Sequence, residues 1–184
     1  MTHLRLAVLA GAILAVAACT RSDEPPTARF PTAADSAEQV LYDVSTVLNN
    51  FGVARGTLSA DTLYIFNDQT LFDLRKVTVA FRDSVGAPSG TMKADSGLYN
   101  TRTQVLQGWG HVVITTTRGE RLESPQLRFN QLSNQVSSDT SFVLTTADGT
   151  VKRGIGFTAD PGLNRIHILR AARGSAIVDS LPKR

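Results

Sequence analysis

Residues 77–99 read VTVAFRDSVGAPSGTMKADSGLY, and this stretch contains the pattern that decides the fold. A run of β-branched and aromatic residues at 77–81 is followed by turn-forming residues at 83–86 and then by a second run that begins at Met92. Two strand-like runs joined by a short segment with Asp and Gly are typical of a β-hairpin. The stretch therefore predicts a pair of antiparallel strands.

The hairpin pattern repeats along the chain. Residues 58–64 (LSADTLY) are echoed by residues 92–100 (MKADSGLYN) and more weakly by residues 122–130 (LESPQLRFN), at a spacing of about 30–35 residues that marks repeat architectures. Further turn signals occur at Arg118-Gly119 and Asp148-Gly149. A single hairpin cannot bury its apolar face, so stacked copies are needed. The sequence predicts an all-β fold over residues 57–178, an elongated, twisted roll of antiparallel strands.

Residues 37–48 do not follow the strand pattern. Their apolar residues include Val40, Leu41, Val44 and Leu48, a spacing of three or four that is typical of a helix. The same segment can also form a strand that ends in a turn at residues 49–52. Both interpretations stay open on sequence.

The N-terminal region predicts export and anchoring. Residues 1–18 are expected to be an export signal, since a basic start precedes a short apolar run that ends in small residues. The run ends Val16-Ala17-Ala18-Cys19, which resembles the lipobox of bacterial lipoproteins and implies an acylated Cys19; the alternative is ordinary cleavage nearby. Residues 19–36 combine Pro with small and charged residues and are predicted to be a tether. Residues 37–184 remain for one domain.

The charge distribution disfavours a nucleic-acid-binding protein, and the cysteine content excludes a protein stabilised by disulfides within the chain. The formal net charge is +3, but basic and acidic residues are interspersed, so no nucleic-acid partner is expected. Cys19 is the single cysteine of the chain, which excludes a disulfide within it.

Few side chains could carry chemistry. Beyond the export signal the histidines are His111 and His167, and no motif of a nucleophile, a metal site or a phosphate loop occurs. Asp61 and Asp95 recur at matching positions of the repeat. They could pair as acid and base, but we favour a structural role in which each accepts backbone N–H groups of a turn. We therefore expect no enzyme, no catalytic residue, no metal and no cofactor.

Short motifs in the ladder resemble the LptC family, the periplasmic component of the lipopolysaccharide export transporter. The motifs are MKAD at 92–95, WGHV at 109–112, LES at 122–124 and VSSD at 136–139. The resemblance spans residues 52–168 and implies a β-jellyroll of two packed antiparallel sheets, open along one side, with lipopolysaccharide acyl chains between them. Many family members use a transmembrane helix where this chain has Cys19, and several carry Tyr in place of Trp109.

The resemblance suggests roles for particular residues. Large apolar side chains are either the core of the roll or the lining of a lipid cleft, and those expected to touch acyl chains are Phe72, Phe81, Trp109, Val112, Ile114 and Phe129. The residues expected to dock partners are Gly52, Ile166, Ile168 and Ile177. Gly52 falls where family members carry a Gly that matters for assembly with the transporter. The three isoleucines lie on predicted C-terminal edge strands, where a partner strand could be added.

The expected function is non-covalent transport. The protein would bind lipopolysaccharide in the periplasm and relay it from the permease subunits of an inner-membrane ABC transporter to an LptA-like periplasmic bridge protein. The lipid anchor is expected in the outer leaflet of the inner membrane, with the outer membrane as the alternative. A second hypothesis is an envelope adaptor lipoprotein that docks β-proteins without holding lipid. A secreted hydrolase is disfavoured because the catalytic motifs are missing.

Overall fold

The computed structural model describes residues 36–50, 52–67, 69–83 and 85–171. The predicted export signal, Cys19 and nearly all of the predicted tether lie outside the described residues, as does Ile177. Within the described part there are nine strands, namely β1 (Gln39–Asn50), β2 (Val53–Phe66), β3 (Leu71–Arg82), β4 (Pro88–Asn100), β5 (Val105–Thr116), β6 (Arg121–Asn130), β7 (Gln135–Thr145), β8 (Val151–Ala159) and β9 (Ile166–Ala171). None of the described residues belongs to a helix long and apolar enough to span a membrane.

The strands form one open sheet in chain order. Each strand pairs antiparallel with its chain neighbours, from β1 through to β9. Gly86, Gly119 and Gly149 lie in three of the connecting turns with φ of 86°, 87° and 84°, a backbone conformation that glycine adopts without steric cost. The predicted all-β antiparallel fold and its turns at 83–86, 118–119 and 148–149 are confirmed.

The ambiguous segment at 37–48 is a strand from Gln39 onward. It pairs with β2 from Gln39 opposite Ile65 to Asn50 opposite Val53. Within residues 39–48 of β1 the shielded side chains are those of Val40, Val44 and Leu48, which are four residues apart. Every fourth residue of a strand reproduces the spacing of a helical face, which explains why periodicity alone suggests a helix.

A line of irregularities crosses the middle of the sheet. The register shifts between residues 93 and 96 of β4, between 109 and 112 of β5, between 123 and 128 of β6 and between 138 and 141 of β7. Gly110 and His111 both have positive φ at this line, 70° and 43°. Such β-bulges bend the strand and increase its local twist. Because they lie side by side, they form one bend line across the sheet.

The sheet folds over at the bend line. Phe81 lies in a cross-strand row with Gly90 and Thr116 on one side of the line, and Phe129 lies in a row with Leu106 on the other. Three strand spacings separate β3 from β6, which is about 14 Å in a flat sheet. The ring centroids of Phe81 and Phe129 are nevertheless 4.9 Å apart. The two sides, which we call the Phe81 half and the Phe129 half, therefore pack face to face, and the expected jellyroll arises from one continuous sheet.

Candidate functional site

The interior between the two halves contains most of the predicted lipid-binding residues. Phe81, Val112, Ile114 and Phe129 are at most 1% exposed and belong to one apolar cluster. Phe72 is half-buried against that cluster, next to the ring of Tyr99. Since side chains from both halves fill this space, the interior is closed in the conformation described.

Trp109 lies on the other face of β5, which corrects the expectation that it faces the interior with Val112 and Ile114. Leu106 and Gly108 are buried on the inner face, and Trp109 follows at an outward position with a half-buried side chain outside the apolar cluster. Successive side chains of a strand point to opposite faces. Two residues, Gly110 and His111, lie in the bulge between Trp109 and Val112, so Val112 faces inward as Gly108 does. Trp109 thus lies on the outer face of the sheet.

One end of the interior is closed by a contact between Asn50 and the β6–β7 turn, which we call the first closure. Asn50 Nδ2 donates to the backbone oxygens of Gln131 and Leu132, at 3.2 and 2.9 Å. The Gln131 side chain, on a residue only 2% exposed, donates to the backbone oxygen of Asn49 and accepts from the Tyr99 hydroxyl at 3.0 Å. The contact joins the Phe81 half to the Phe129 half by hydrogen bonds that are buried or partly buried.

A second closure joins the halves through the β8–β9 turn. Pro161, Gly162 and Leu163 are buried in this turn. Arg118, from the β5–β6 turn, donates to the backbone oxygen of Gly162 at 2.9 Å and contacts the side chain of Asn164. Both closures use turns at the ends of strands, so the interior could open there without unpairing the sheet.

The edges of the sheet are β1 and β9. Ile166 and Ile168, predicted to dock a partner, lie on β9 and pack partly against the apolar cluster. Gly52 lies in the turn before β2 with φ of 81° and open space around it. On β1, Tyr42 is 73% exposed and Val47 is 53% exposed. Within the described residues each edge strand pairs on one side only, as strand addition requires.

The two repeated aspartates lie within strands, where the pairing of neighbouring strands is interrupted, rather than in turns, which corrects the expectation that they accept turn backbone N–H groups. Asp61 Oδ2 is 2.6 Å from Lys76 Nζ, and Asp95 Oδ2 is 2.6 Å from His111 Nδ1. The hydrogen bond and the negative charge of Asp95 raise the pKa of His111 above its usual value. The same two effects from Asp61 raise the pKa of Lys76. Each pair links neighbouring strands where regular pairing is interrupted.

Among the described residues, no group of three or more His, Cys, Asp or Glu side chains is placed to hold a metal ion. Sequence reasoning also missed a cavity of about 770 Å³ on the outer face of β5 to β8. Its apolar lining includes Val113, Val143 and Ile155, while Arg121 and Arg153 also line it. The available signal was the valines at outward positions, where polar residues are the rule for a solvated face.

Comparisons with known proteins identify a family. The family model described as lipopolysaccharide-assembly, LptC-related, matches residues 6–177. Among solved structures, the chain is similar to the crystal structure of LptH, the LptA-homologous periplasmic component of the conserved lipopolysaccharide transport device from Pseudomonas aeruginosa. That match has 14% identity and a TM-score of 0.48, and it covers 68% of this chain and 89% of the other. No curated protein gives a significant match.

Proposed function

Since the chain belongs to the LptC family of lipopolysaccharide-assembly proteins, we propose that it holds lipopolysaccharide between the two halves of its sheet and relays it from the inner-membrane ABC transporter to an LptA-like bridge protein. The family is periplasmic, takes part in lipopolysaccharide transport and is non-enzymatic. The relay and its direction go beyond what membership of the family establishes.

The observation that carries the proposal is the apolar interior, which continues across the bend line. Its residues come from both halves, including Met92 and Ile114 in the Phe81 half and Leu106 and Phe129 in the Phe129 half. An acyl chain placed there would be stabilised by about 0.8 kcal/mol for each methylene removed from water. No covalent step is needed for such binding.

Loading requires the two halves to separate. The interior side chains of Phe81 and Phe129 touch, so an acyl chain must replace contacts between the halves by contacts with itself. The first and second closures hold the halves together by a few side-chain hydrogen bonds. The proposed route for loading is therefore the release of these closures, while the strand pairing stays intact.

The anchor is proposed on sequence, from the lipobox-like residues that end at Cys19. Two acyl chains would hold the protein stably on a membrane, whereas one does not. The test is Cys19→Ser followed by cell fractionation. Release of the mature protein into the soluble periplasmic fraction is expected, and unchanged membrane association contradicts the anchor.

The relay is tested with photo-crosslinking residues in living cells. Inward positions Phe81, Val112 and Phe129 should form adducts with lipopolysaccharide. Gln107 and Arg128, which are partners across β5 and β6 on the outer face of the Phe129 half, serve as matched controls and should form none. Equal labelling of inward and outward positions, or no inward adduct in a folded protein, contradicts the interior path.

The closed interior and the unpaired edges favour a second candidate, an adaptor that docks other β-proteins and holds no lipid. Ile168→Pro separates the two functions because proline lacks the backbone N–H that a strand ladder uses. If the protein relays lipid to an edge-docked partner, partner pull-down falls while lipopolysaccharide crosslinks at Phe81 persist. If the protein is an adaptor, the variant loses partner pull-down, and neither the variant nor the unmodified protein forms lipopolysaccharide crosslinks.

A further inference from the structure

The outer face of the Phe81 half carries an apolar strip, with Val113 on β5 and Val143 on β7. Across β5 to β8 the consecutive partners in one row are Val113, Glu123, Val143 and Arg153. In the Phe129 half, the same four strands present an entirely polar outward row of Gln107, Arg128, Ser137 and Thr158. The row in the Phe81 half therefore contains two valines, whereas the row in the Phe129 half that begins at Gln107 contains no apolar residue.

The strip lines a cavity of ligand size. Its volume is about 770 Å³, within the range of small-molecule sites. Val113 and Val143 are half-buried, and Ile155, beside them, is 44% exposed. These branched side chains form an apolar floor that the described residues leave uncovered.

The charges around the cavity favour an anion. Arg121 donates from Nε to Glu123 at 2.7 Å, which offsets the one carboxylate of the row, and among the described residues neither terminal amino group of Arg121 has a hydrogen-bond partner. Arg153 makes no ion pair or hydrogen bond with the described residues. The two arginines stand two strands apart and are offset by two residues along the strands, about 12 Å between backbones, so that their long side chains can reach one group between them. Guanidinium groups match the geometry of phosphate oxygens.

We propose that this outer cavity binds one anionic lipid, whose phosphate lies between Arg121 and Arg153 and whose acyl chain lies along Val113, Val143 and Ile155. The floor residues Val113, Val143 and Ile155 point to the opposite face of the sheet from the interior side chains, although the interior residues Val112 and Phe142 also border the cavity. It would hold a lipid against the protein without separating the two halves.

The test uses the Cys19→Ser chain, which has no acyl anchor, and short-chain lipids below their micelle concentration. Dihexanoyl phosphatidylglycerol is the anionic probe, dihexanoyl phosphatidylcholine the zwitterionic one and inorganic phosphate the headgroup alone. Methyl NMR signals of Val113, Val143 and Ile155 report the outer cavity, and those of Ile114 and Leu122 report the interior. The expected result is saturable shifts of the outer methyls with the anionic lipid and much weaker binding of the other two probes.

Variants sharpen the result. Arg153→Gln should weaken binding of the anionic lipid about tenfold, the loss expected for one charge-assisted hydrogen bond. Arg128→Gln is the matched control, since Arg128 is also exposed on the outer face and unpaired within the described chain, but lies in the Phe129 half. The affinity of the Arg128→Gln variant for the anionic lipid should be unchanged.

Three results overturn the outer site. Shifts confined to the interior methyls would place the lipid between the halves, which supports the proposed function and refutes this inference. Equal affinity for inorganic phosphate would mean that the apolar floor does not contribute to binding. Equal affinity for the zwitterionic lipid would mean that the arginines do not select an anionic lipid. Absence of shifts at all the reporting methyls would exclude lipid binding at both places.

Discussion

The rings of Phe81 and Phe129 meet edge to face with centroids 4.9 Å apart, although β4 and β5 separate their strands in the sheet. This contact connects the two halves directly. It supplies both dispersion contacts and an edge-to-face aromatic interaction within a region where neither side chain is more than 1% exposed. The pair is therefore part of what keeps the interior closed.

Phe129→Ala should lower the free energy of unfolding by about 3–5 kcal/mol, because it leaves a cavity that the rigid sheet can only partly fill. Urea denaturation measures the change. Leu132→Ala is the control, since Leu132 is 51% exposed in the neighbouring turn and its replacement should cost less than about 0.5 kcal/mol. Similar losses from the two variants would show that the halves do not pack as described.

Gln131→Ala should destabilise the protein by about 2–4 kcal/mol, because it leaves the backbone oxygen of Asn49 and the hydroxyl of Tyr99 without their partner. Thermal or urea unfolding measures the loss, with the exposed Gln135→Ala as the control. If loading releases the first closure, the same variant should also raise lipopolysaccharide crosslinking at Phe81. A loss of stability with reduced crosslinking in the folded fraction would argue against that route.

Gly110→Ala should cost more stability than Gly119→Ala. Both glycines have positive φ, 70° and 87°, so both alanine variants bear the same backbone strain of about 1 kcal/mol. At Gly110 the new Cβ would also lie 2.6 Å from Asp95 Oδ2, whereas at Gly119 there is open space. Equal losses in denaturation would mean that Asp95 moves aside freely. In that event the Asp95–His111 pair should be broken, which the His111 titration reports.

The His111 imidazole should titrate above the ordinary histidine value of about 6.5, because Asp95 hydrogen-bonds it and attracts its charge. The pair's contribution to stability is fully present below the unfolded pKa and is lost as the pH rises through the raised folded pKa. NMR titration of the His111 ring measures this pKa. Asp95→Asn should lower it, and Asp61→Asn, at the matching repeat position, should leave it unchanged.

Much of the fold follows from local rules. The turns at 83–86, 118–119 and 148–149 are predictable because Gly86, Gly119 and Gly149 supply the positive φ that a tight connection needs. The repeat then implies that successive hairpins are similar and stack. The alternation of side chains along β5 also predicts where Trp109 lies, because a residue next to the inward Gly108 must face outward.

Other features depend on tertiary context. β1 is an edge strand, and several of its inward positions lack a covering layer, so its sequence is not held to regular alternation. The bend line depends on bulges, which change the partners of residues without a distinct residue pattern. For that reason Asp61 and Asp95 could be recognised as a repeat, but their partners Lys76 and His111 could not be identified from the sequence.

The chain-order pairing of the strands has a consequence for how the protein acquires its structure. Every hydrogen-bonded neighbour is also a neighbour in sequence, so the contact order of the sheet itself is low, and such contacts close short loops at small entropic cost. As the chain is synthesised from its N-terminus, each new hairpin could pair with the preceding one before the C-terminus has been made. The contacts between halves, such as Phe81 with Phe129, close much longer loops. Folding should therefore end with the sheet folding over on itself.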